Sequence, residues 1–556
     1  MILGLDVGGT HTDVVVIDGD QVVGKTKMLT DEDNLIESVC FSILECTGDL
    51  DPQDIQRVVV STTLATNAIV QKRMPPVGIV VVSGPGMNPD EYRIGEHYYP
   101  VTGAVDHRGM VIQAIDPQEI DILRTRLKNA GVERVAVVGK FSTRNPAQEQ
   151  EIAHLLADAF PTVVMGHSVS GQLNFPRRIA TAYLNAAVAP MSGEFYRAVQ
   201  TCMERRGLMI QLEILKADGG TMAQERSLQY AVETILSGPA ASIMGALPHA
   251  DPHREEIVLD IGGTTTDMAV LVGGVPLLEP RGISIGGYKT LVRALRTCSI
   301  GVGGDSWVRL EKDRLEIGPE RKGRAVAYGG PEPTPTDALI TLGAATGGHR
   351  QRAAEAMRRL GYQLKTGVEE TAAMVVEKTC SLIMEGVGRM VDSINQQPVY
   401  TIHELLEGRQ ISPEGLIIIG GPAEELALPL QSMSGWSVKV PPHHEVANAI
   451  GAAIARTTCE VTVVADTEKG YVCVPEEDYV ASIDRQASTQ EVIDLAFGLL
   501  KSKAFRLGAD EDDLEMELLE VQEFNMVRGF STVGKNIRVR TQIKPGLISH
   551  YREAAA

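Results

Sequence analysis

Leu5-Asp6-Val7-Gly8-Gly9-Thr10-His11-Thr12-Asp13, near the start of the chain, is matched 254 residues later by Leu259-Asp260-Ile261-Gly262-Gly263-Thr264-Thr265-Thr266-Asp267. The pattern D-x-G-G-T-x-T-D is identical in both copies. A carboxylate at a strand end followed at once by Gly-Gly-Thr has a specific use. The glycines let backbone N–H groups approach phosphate oxygens, and the threonine hydroxyls add donors. Gly8, Gly9, Thr10 and Thr12 of one copy, and Gly262, Gly263, Thr264, Thr265 and Thr266 of the other, are therefore candidate phosphate-binding residues. Asp6 and Asp260 are expected to face a Mg²⁺ ion, directly or through its waters, because magnesium keeps several waters and bridges carboxylates to phosphates. Turn chemistry alone explains glycines in either copy, but not aspartates and threonines repeated in both. Asp13 and Asp267 close the motifs with two roles open: orienting the loops through Asx-type bonds, or acting as bases on water.

A third candidate is Leu416-Ile417-Ile418-Ile419-Gly420-Gly421-Pro422-Ala423, a buried strand ending in Gly-Gly and leading toward a helix. An adenine and ribose can lie against such flat backbone, which makes Gly420, Gly421 and Pro422 nucleotide-site candidates.

The elements that position these residues follow from periodicity. Each twin motif is flanked by apolar β-branched runs, so it reads as strand, tight turn, strand; a Rossmann phosphate loop lacks the second strand. Helices are expected at 35–46, 117–130, 146–160, 178–206, 368–394 and 446–456, and strands at 58–61, 77–83, 135–139, 213–217 and 416–420. Their interleaving is the α/β pattern. A repeat at domain-scale separation points to two related domains, 1–180 and 181–459, with a ligand cleft between them. The Gly/Pro-rich basic stretch 318–336 reads as a loop or lid. From 460 to 556 the character shifts, and a small appended α+β module is expected.

Composition limits the function. With 556 residues, 44% hydrophobic and 22% charged, the chain is a globular protein of several domains. A net charge of −20 with no basic stripe argues against nucleic acid. It does not argue against a nucleotide, which a metal ion and backbone N–H groups hold locally. No stretch approaches the ~20 apolar residues of a bilayer span, and the N-terminus lacks signal-peptide character, so no membrane association and a cytoplasmic location are expected. Seven scattered cysteines without a Cys-x-x-Cys pair argue against a disulfide framework, a zinc knuckle or an iron–sulfur cluster; buried reduced thiols are expected.

The twin hairpins and the Gly-Gly strand end resemble the phosphate and adenosine motifs of the actin, sugar kinase and heat-shock chaperone superfamily. Within it the chain looks like the hydantoinase A/oxoprolinase group, on Thr62-Thr63-Leu64-Ala65-Thr66-Asn67-Ala68 and Leu236-Ser237-Gly238-Pro239-Ala240-Ala241, with Lys216-Ala217-Asp218-Gly219-Gly220, Gly301-Val302-Gly303-Gly304-Asp305-Ser306 and Pro335-Thr336-Asp337-Ala338 also matching in order. The likeness covers about residues 1–460. It departs at His11, where an aromatic is usual, and at Asp305, where a third glycine is typical.

The resemblance implies duplicated actin-like (ribonuclease H-like) ATPase domains around a central nucleotide cleft, the last helix of the second half returning to the first. It implies ATP and Mg²⁺ as cofactors, with Gly303 and Gly304 added to the nucleotide site. It implies hydrolysis of a cyclic amide: the γ-phosphoryl group goes to the amide oxygen and water attacks the resulting imidoyl phosphate. For Thr62, Thr63 and Asn67 two roles are equally open, holding a substrate carbonyl and capping a helix. A separate hydantoinase B-like subunit and an oligomer are implied partners. The alternatives are a ketone carboxylase subunit, a small-molecule kinase, and an ATP-driven protein-remodelling or activating factor. The near P-loop Gly529–Asn536 lacks the required Ser/Thr and is followed by a strand pattern, and His443-His444-Glu445 has no third histidine nearby; neither is taken as a site.

Overall fold

Apolar β-branched runs form strands and the amphipathic stretches between them form helices, giving an α/β protein with mixed sheets in the computed structural model, which describes residues 1–31, 34–279, 281–312, 314–396, 410–549 and 551. By compactness the chain divides into two units, one of Met1–Gly238, Glu279–Ala294 and Ala455–Ala554, the other of Pro239–Leu278 and Leu295–Ile454. Helix Phe175–Arg206 runs through residue 180.

In the first unit a six-stranded sheet runs in the order Thr221–Ala223, Leu212–Leu215, Arg57–Thr62, Ile2–Val7, His11–Asp18, Gln21–Leu29. Ile2–Val7 is antiparallel to His11–Asp18 and parallel to Arg57–Thr62, which is parallel to Leu212–Leu215. Leu3, Leu5, Val14, Val16, Val58 and Val60 share a core with Val39 and Ile43 of helix Leu35–Thr47 and with Tyr196 and Met203 of helix Phe175–Arg206. Burial of each such side chain contributes roughly 1.5–3 kcal/mol. A second, all-parallel sheet orders Thr162–Met165, Arg134–Gly139, Val77–Val82 and His97–Pro100. The run Val77–Val82 is buried throughout, as a parallel strand covered on both faces requires. The stretch from Glu460 forms a five-stranded antiparallel sheet with helix Thr489–Arg506, around Val461, Val463, Val492, Leu500 and Val539. Its strand Ser531–Ile543 contains most of the near P-loop string.

In the second unit Glu255–Ile261 is antiparallel to Thr266–Val272 and parallel to Gly415–Ile419, which is parallel to Ser437–Lys439. This repeats the arrangement around Ile2–Val7. Helices Pro335–Leu342, Arg350–Leu364, Val368–Asn395 and Ala423–Ser434 contribute to its core with Leu259, Ile261, Met357, Val375, Ile418 and Leu426. Helix Ala447–Ile454 lies tightly against helix Ser237–Ala246, because a Cβ on Gly451 would fall 1.9 Å from the Ala241 carbonyl oxygen.

The cysteines correct one expectation. Cys40 and Cys202, 162 residues apart in sequence, form a disulfide with Cα atoms 5.1 Å apart. They meet because helices Leu35–Thr47 and Phe175–Arg206 pack together, which linear spacing does not reveal. Cys46, Cys380, Cys459 and Cys473 are buried free thiols and Cys298 is half-buried. Among the described residues no helix is long and apolar enough to cross a membrane.

Candidate nucleotide site

Both Asp-Gly-Gly-Thr motifs fold as hairpins with one register. Asp6 lies opposite Asp13 and Val7 opposite Thr12; Asp260 lies opposite Asp267 and Ile261 opposite Thr266. The Gly8 N–H donates to the His11 carbonyl at 3.0 Å, and the Gly262 N–H to the Thr265 carbonyl at 2.9 Å, so the same short turn closes each. Gly9 and Thr10, and Gly263 and Thr265, are exposed at the tips, whereas Thr12 and Thr266 are buried. The Thr12 hydroxyl is 3.0 Å from that of Thr30, which donates to the Gly8 carbonyl at 2.9 Å. The Thr266 hydroxyl donates to the Val302 carbonyl at 2.7 Å. The buried threonines thus brace the turns from within, and the tips present backbone N–H groups and hydroxyls outward.

Carboxylates directly opposite on neighbouring strands repel each other. The two hairpins answer this differently. Lys27 donates to both oxygens of Asp13, at 2.9 and 2.7 Å. In the second hairpin burial and the nearby Asp260 push the Asp267 carboxyl up to about 6, and the Ser299 hydroxyl donates to it. Asp260 accepts from the Ser242 hydroxyl at 2.5 Å, and Ser242 lies 3.2 Å from the Asn448 side-chain oxygen. Carboxylate pairs whose repulsion a cation relieves fit Mg²⁺, which takes one or two carboxylates and fills its remaining positions with water and phosphate oxygens. Among the described residues no group of three or more His, Cys, Asp or Glu could hold a metal by itself.

Three further segments close around the second hairpin. Gly420 has φ +96°, and a Cβ there would fall 2.3 Å from the Ile261 carbonyl oxygen and 2.8 Å from Asp260 Oδ1, so only glycine permits this approach. Its N–H donates to the His444 carbonyl at 3.0 Å, and its own carbonyl lies 2.8 Å from His444 Nδ1. Gly303 lies equally close, its Cβ position being 2.5 Å from the Gly262 carbonyl oxygen. The Gly304 N–H donates to Gly262 at 2.9 Å and the Asp305 N–H to Gly263 at 2.6 Å. Thr336 then holds the loop, its hydroxyl donating to the Gly304 carbonyl at 2.7 Å. The loop 318–336 is tied to the same place: Arg321 donates to Asp305 at 2.9 Å, and buried Asp337 accepts from the Val326 and Ala327 N–H groups at 2.9 and 2.8 Å. Gly421 has nothing within 4 Å of its Cβ position, and Pro422 occupies the N-cap position of helix Ala423–Ser434.

In the first unit the place corresponding to Gly420-Gly421 is taken by Thr62-Thr63, at the end of the strand parallel to Ile2–Val7. The Thr62 hydroxyl accepts from the Leu64 N–H at 3.2 Å, and the Asn67 side chain donates to the Thr63 hydroxyl at 3.4 Å. Thr63 is the residue before helix Leu64–Val70 and makes no side-chain capping bond to it. The Ser237 hydroxyl donates to the Thr62 carbonyl at 2.9 Å, and the Thr66 hydroxyl accepts from the N–H of Leu236, which is held at φ +61°. The two family-like strings Thr62–Ala68 and Leu236–Ala241 therefore meet in space.

Sequence reading missed Ser242, Asn448, Ser299 and Lys27, set His444 aside, and placed Arg321 only within the basic stretch 318–336. Ser242 lies within five residues of the Ser237-Gly238-Pro239 string, which is the one signal that could have found it; Asn448, Ser299 and Lys27 come from separate elements and carry no local pattern.

Known proteins resemble the chain over most of its length. A family model described as hydantoinase/oxoprolinase matches residues 178–461, and one for the hydantoinase/oxoprolinase N-terminal region matches residues 2–160. The chain is 26% identical over 434 residues to the caprolactamase subunit alpha of Pseudomonas jessenii, covering 70% of this chain and 62% of that protein. It is 26% identical over 390 residues to the acetophenone carboxylase gamma subunit of Aromatoleum aromaticum, covering 61% of this chain and 53% of that one. The chain thus spans less than two thirds of either relative. The crystal structure of the ATP-dependent caprolactamase from Pseudomonas jessenii is similar in fold, with a TM-score of 0.71 at 21% identity over 98% of this chain and 87% of that one.

Proposed function

Because the chain belongs to the hydantoinase/oxoprolinase family, we propose that it uses ATP to activate the carbonyl of a cyclic amide for ring opening by water. The observation that carries this reading is the pair of Asp-Gly-Gly-Thr hairpins of equal register, each with a carboxylate at the strand end beside exposed backbone donors. Their repetition within sheets of the same strand arrangement supports a duplicated actin-like ATPase, with the stretch from 460 as an appended module.

Phosphoryl transfer needs positioning and charge neutralisation more than covalent help. In this reading the outward groups of Gly8, Gly9, Thr10, Gly262, Gly263, Thr264 and Thr265 bind phosphate, while Gly303, Gly304 and Gly420-Gly421-Pro422 shape the nucleotide site. Asp6 and Asp260 would hold Mg²⁺, whose contribution when bound is to neutralise phosphate charge. Asp13, occupied by Lys27, orients its hairpin; Asp267, which accepts from the neutral Ser299 hydroxyl, is the better candidate to accept a proton from water. Transfer of the γ-phosphoryl group to the amide oxygen releases ADP and leaves an imidoyl phosphate. Water adds at its carbon, the C–N bond breaks with the amine departing, and a second water splits the remaining acyl phosphate into the open acid and inorganic phosphate. A separate subunit is part of this proposal, since both relatives are named as subunits.

The test is phosphate release that rises only when a cyclic amide is added and leaves no phosphorylated product. A stable phosphorylated compound would instead mark a kinase. Similarity to a carboxylase subunit supports a second reading, ketone carboxylation, which bicarbonate-dependent turnover would identify. Unchanged nucleotide affinity after Asp6→Ala and Asp260→Ala together would refute the site.

A further inference from the structure

The five-stranded sheet that begins at Glu460 ends on a strand with an open side. Met516–Arg528 pairs with Ser531–Ile543 across the turn Gly529-Phe530, and its other edge meets no strand among the described residues. An unpaired row of N–H and C=O groups invites a further strand, and folded proteins blunt such an edge with lysine, proline or a cover. The strand, MELLEVQEFNMVR, has neither lysine nor proline. Its apolar side chains are turned to solvent instead: Val521 is 39%, Phe524 62% and Val527 60% exposed, and Leu518, Leu519 and, in the turn, Phe530 are exposed with them. Helix Thr489–Arg506 packs on the inner strands Ser531–Ile543 and Glu460–Asp466, which leaves most of the outer strand uncovered. Exposed apolar residues gathered in one place, unlike scattered ones, mark an interaction surface.

The register shows what fits the edge. Two irregularities interrupt the hairpin. Leu519 is skipped between the pairs Leu518–Thr541 and Glu520–Arg540, and Val533, on the return strand, is skipped between Met526–Gly534 and Val527–Thr532. The outer strand is therefore regular over 520–528, and the midpoint of that stretch is Phe524. A second copy related by a twofold axis normal to the sheet runs antiparallel to the first, with one residue opposite itself.

With the axis at the midpoint, Phe524 lies opposite Phe524 of the partner subunit, Val521 opposite the partner's Val527, and Glu520 opposite the partner's Arg528. Gln522 meets the partner's Met526 and Glu523 the partner's Asn525, so no acid faces an acid. An axis one residue earlier sets two copies of Glu523 against each other, and one residue later sets Glu523 against the partner's Val527; both lose cross-strand pairing energy. Glu520 already lies 3.3 Å from Arg540 on the neighbouring strand, so the pairing extends a row of alternating charge: Arg540, Glu520, then the partner's Arg528. Arg528 holds Glu468 at 2.7 Å, and a guanidinium has donors enough for a second carboxylate.

We propose that two copies of this chain join edge to edge through 520–528, merging their five-stranded sheets into one continuous antiparallel sheet about a twofold axis at Phe524. The proposal is independent of the reaction above, because no residue of the candidate nucleotide site lies on this strand. The test is sedimentation velocity of the full chain from about 1 to about 100 μM, in about 0.15 M salt to screen the repulsion between two chains of net charge −20. The wild type forms a dimer within this range, and Phe524→Asp, which sets two carboxylates together on the axis, stays a monomer throughout. Arg528→Glu, which opposes Glu520 with a like charge twice per dimer, raises the dissociation constant about tenfold, and adding Glu520→Arg restores it to within about threefold of wild type. A side chain that only supports its own hairpin is not rescued in this way. Oxidation reads the register: Phe524→Cys cross-links above the wild-type background, whereas Gln522→Cys, about 13 Å along the strands from its own copy, does not. A wild type that stays monomeric, a dimer that Phe524→Asp leaves intact, or a charge exchange that fails to rescue overturns the proposal. Should Phe524→Asp not fold, the cysteine variants decide: cross-linking at 524 alone supports the proposal, and equal cross-linking at both positions or at neither overturns it.

Discussion

Raising the pH from 6.5 to 9 is expected to remove about 3 kcal/mol from the stability of the first unit through one side chain, His167. Its ring is fully buried, with Nδ1 2.5 Å from Glu149 Oε2 and Nε2 2.9 Å from Asp478 Oδ1. Both ring nitrogens therefore donate, which requires the imidazolium. Burial works against the charge, but hydrogen bonds and charge from Asp478 and Glu149 outweigh it and push His167 from 6.5 up to about 9. Because the folded value is above the unfolded one, the stabilisation is complete below 6.5 and is lost as pH rises through 9. At ~1.4 kcal/mol per unit, the 2.5-unit difference gives the figure above. Urea denaturation of wild type and His167→Gln at half-unit intervals from pH 6 to 10 measures it. The stability difference between the two should fall by about 3 kcal/mol across the window, with Asp478→Asn removing part of the slope. A pH-independent difference would refute the assignment of a charged, doubly bonded His167. Ser168 to Gln172, which follow His167, line one cavity with Lys216, Asp218 and Lys503.

Other consequences follow from the same geometry. Gly420→Ala should destabilise the second unit by roughly 1–3 kcal/mol, from its left-handed φ alone, and should weaken nucleotide binding because the added carbon meets Asp260; thermal melting and nucleotide titration would show both. Arg57→Met leaves Glu213, now bonded by Arg57 at 2.7 and 2.9 Å, as an uncompensated buried charge, and should cost about 3–5 kcal/mol by denaturant titration. Ser242→Ala removes the hydroxyl that holds Asp260 and should lower turnover more than Ser242→Thr, which keeps it. Peptide mapping without reductant should recover Cys40 linked to Cys202 and five alkylatable thiols after unfolding.

The local grammar of the chain was legible in advance. Strands and helices fell where periodicity predicts, from Val77–Val82 to Val368–Asn395, because each run must bury one face and local sequence records which. The twin motifs announced their turns for a related reason: a hairpin of this kind needs glycines and short polar side chains at fixed positions, and its hydrogen bonds close within a few residues. That Gly420 and Gly303 would press against Ile261 and Gly262 was only half visible, as glycines without a stated neighbour.

What tertiary structure alone decided is which long-range partner each charged or polar group receives. Asp13 and Asp267 occupy identical motif positions, yet Lys27 claims one and Ser299 the other, and nothing in the motif distinguishes them. Thr12 and Thr266 carry the residue type of phosphate ligands but turn inward to brace the loops. Cys40 met Cys202, and Lys216, Arg293 and Glu476 came to line one cavity, from stretches separated by scores of residues. The physical reason is that backbone conformation answers to neighbours in sequence, whereas charge balance, hydrogen-bond satisfaction and enclosed volume answer to neighbours in space, which exist only once the sheets and helices have packed.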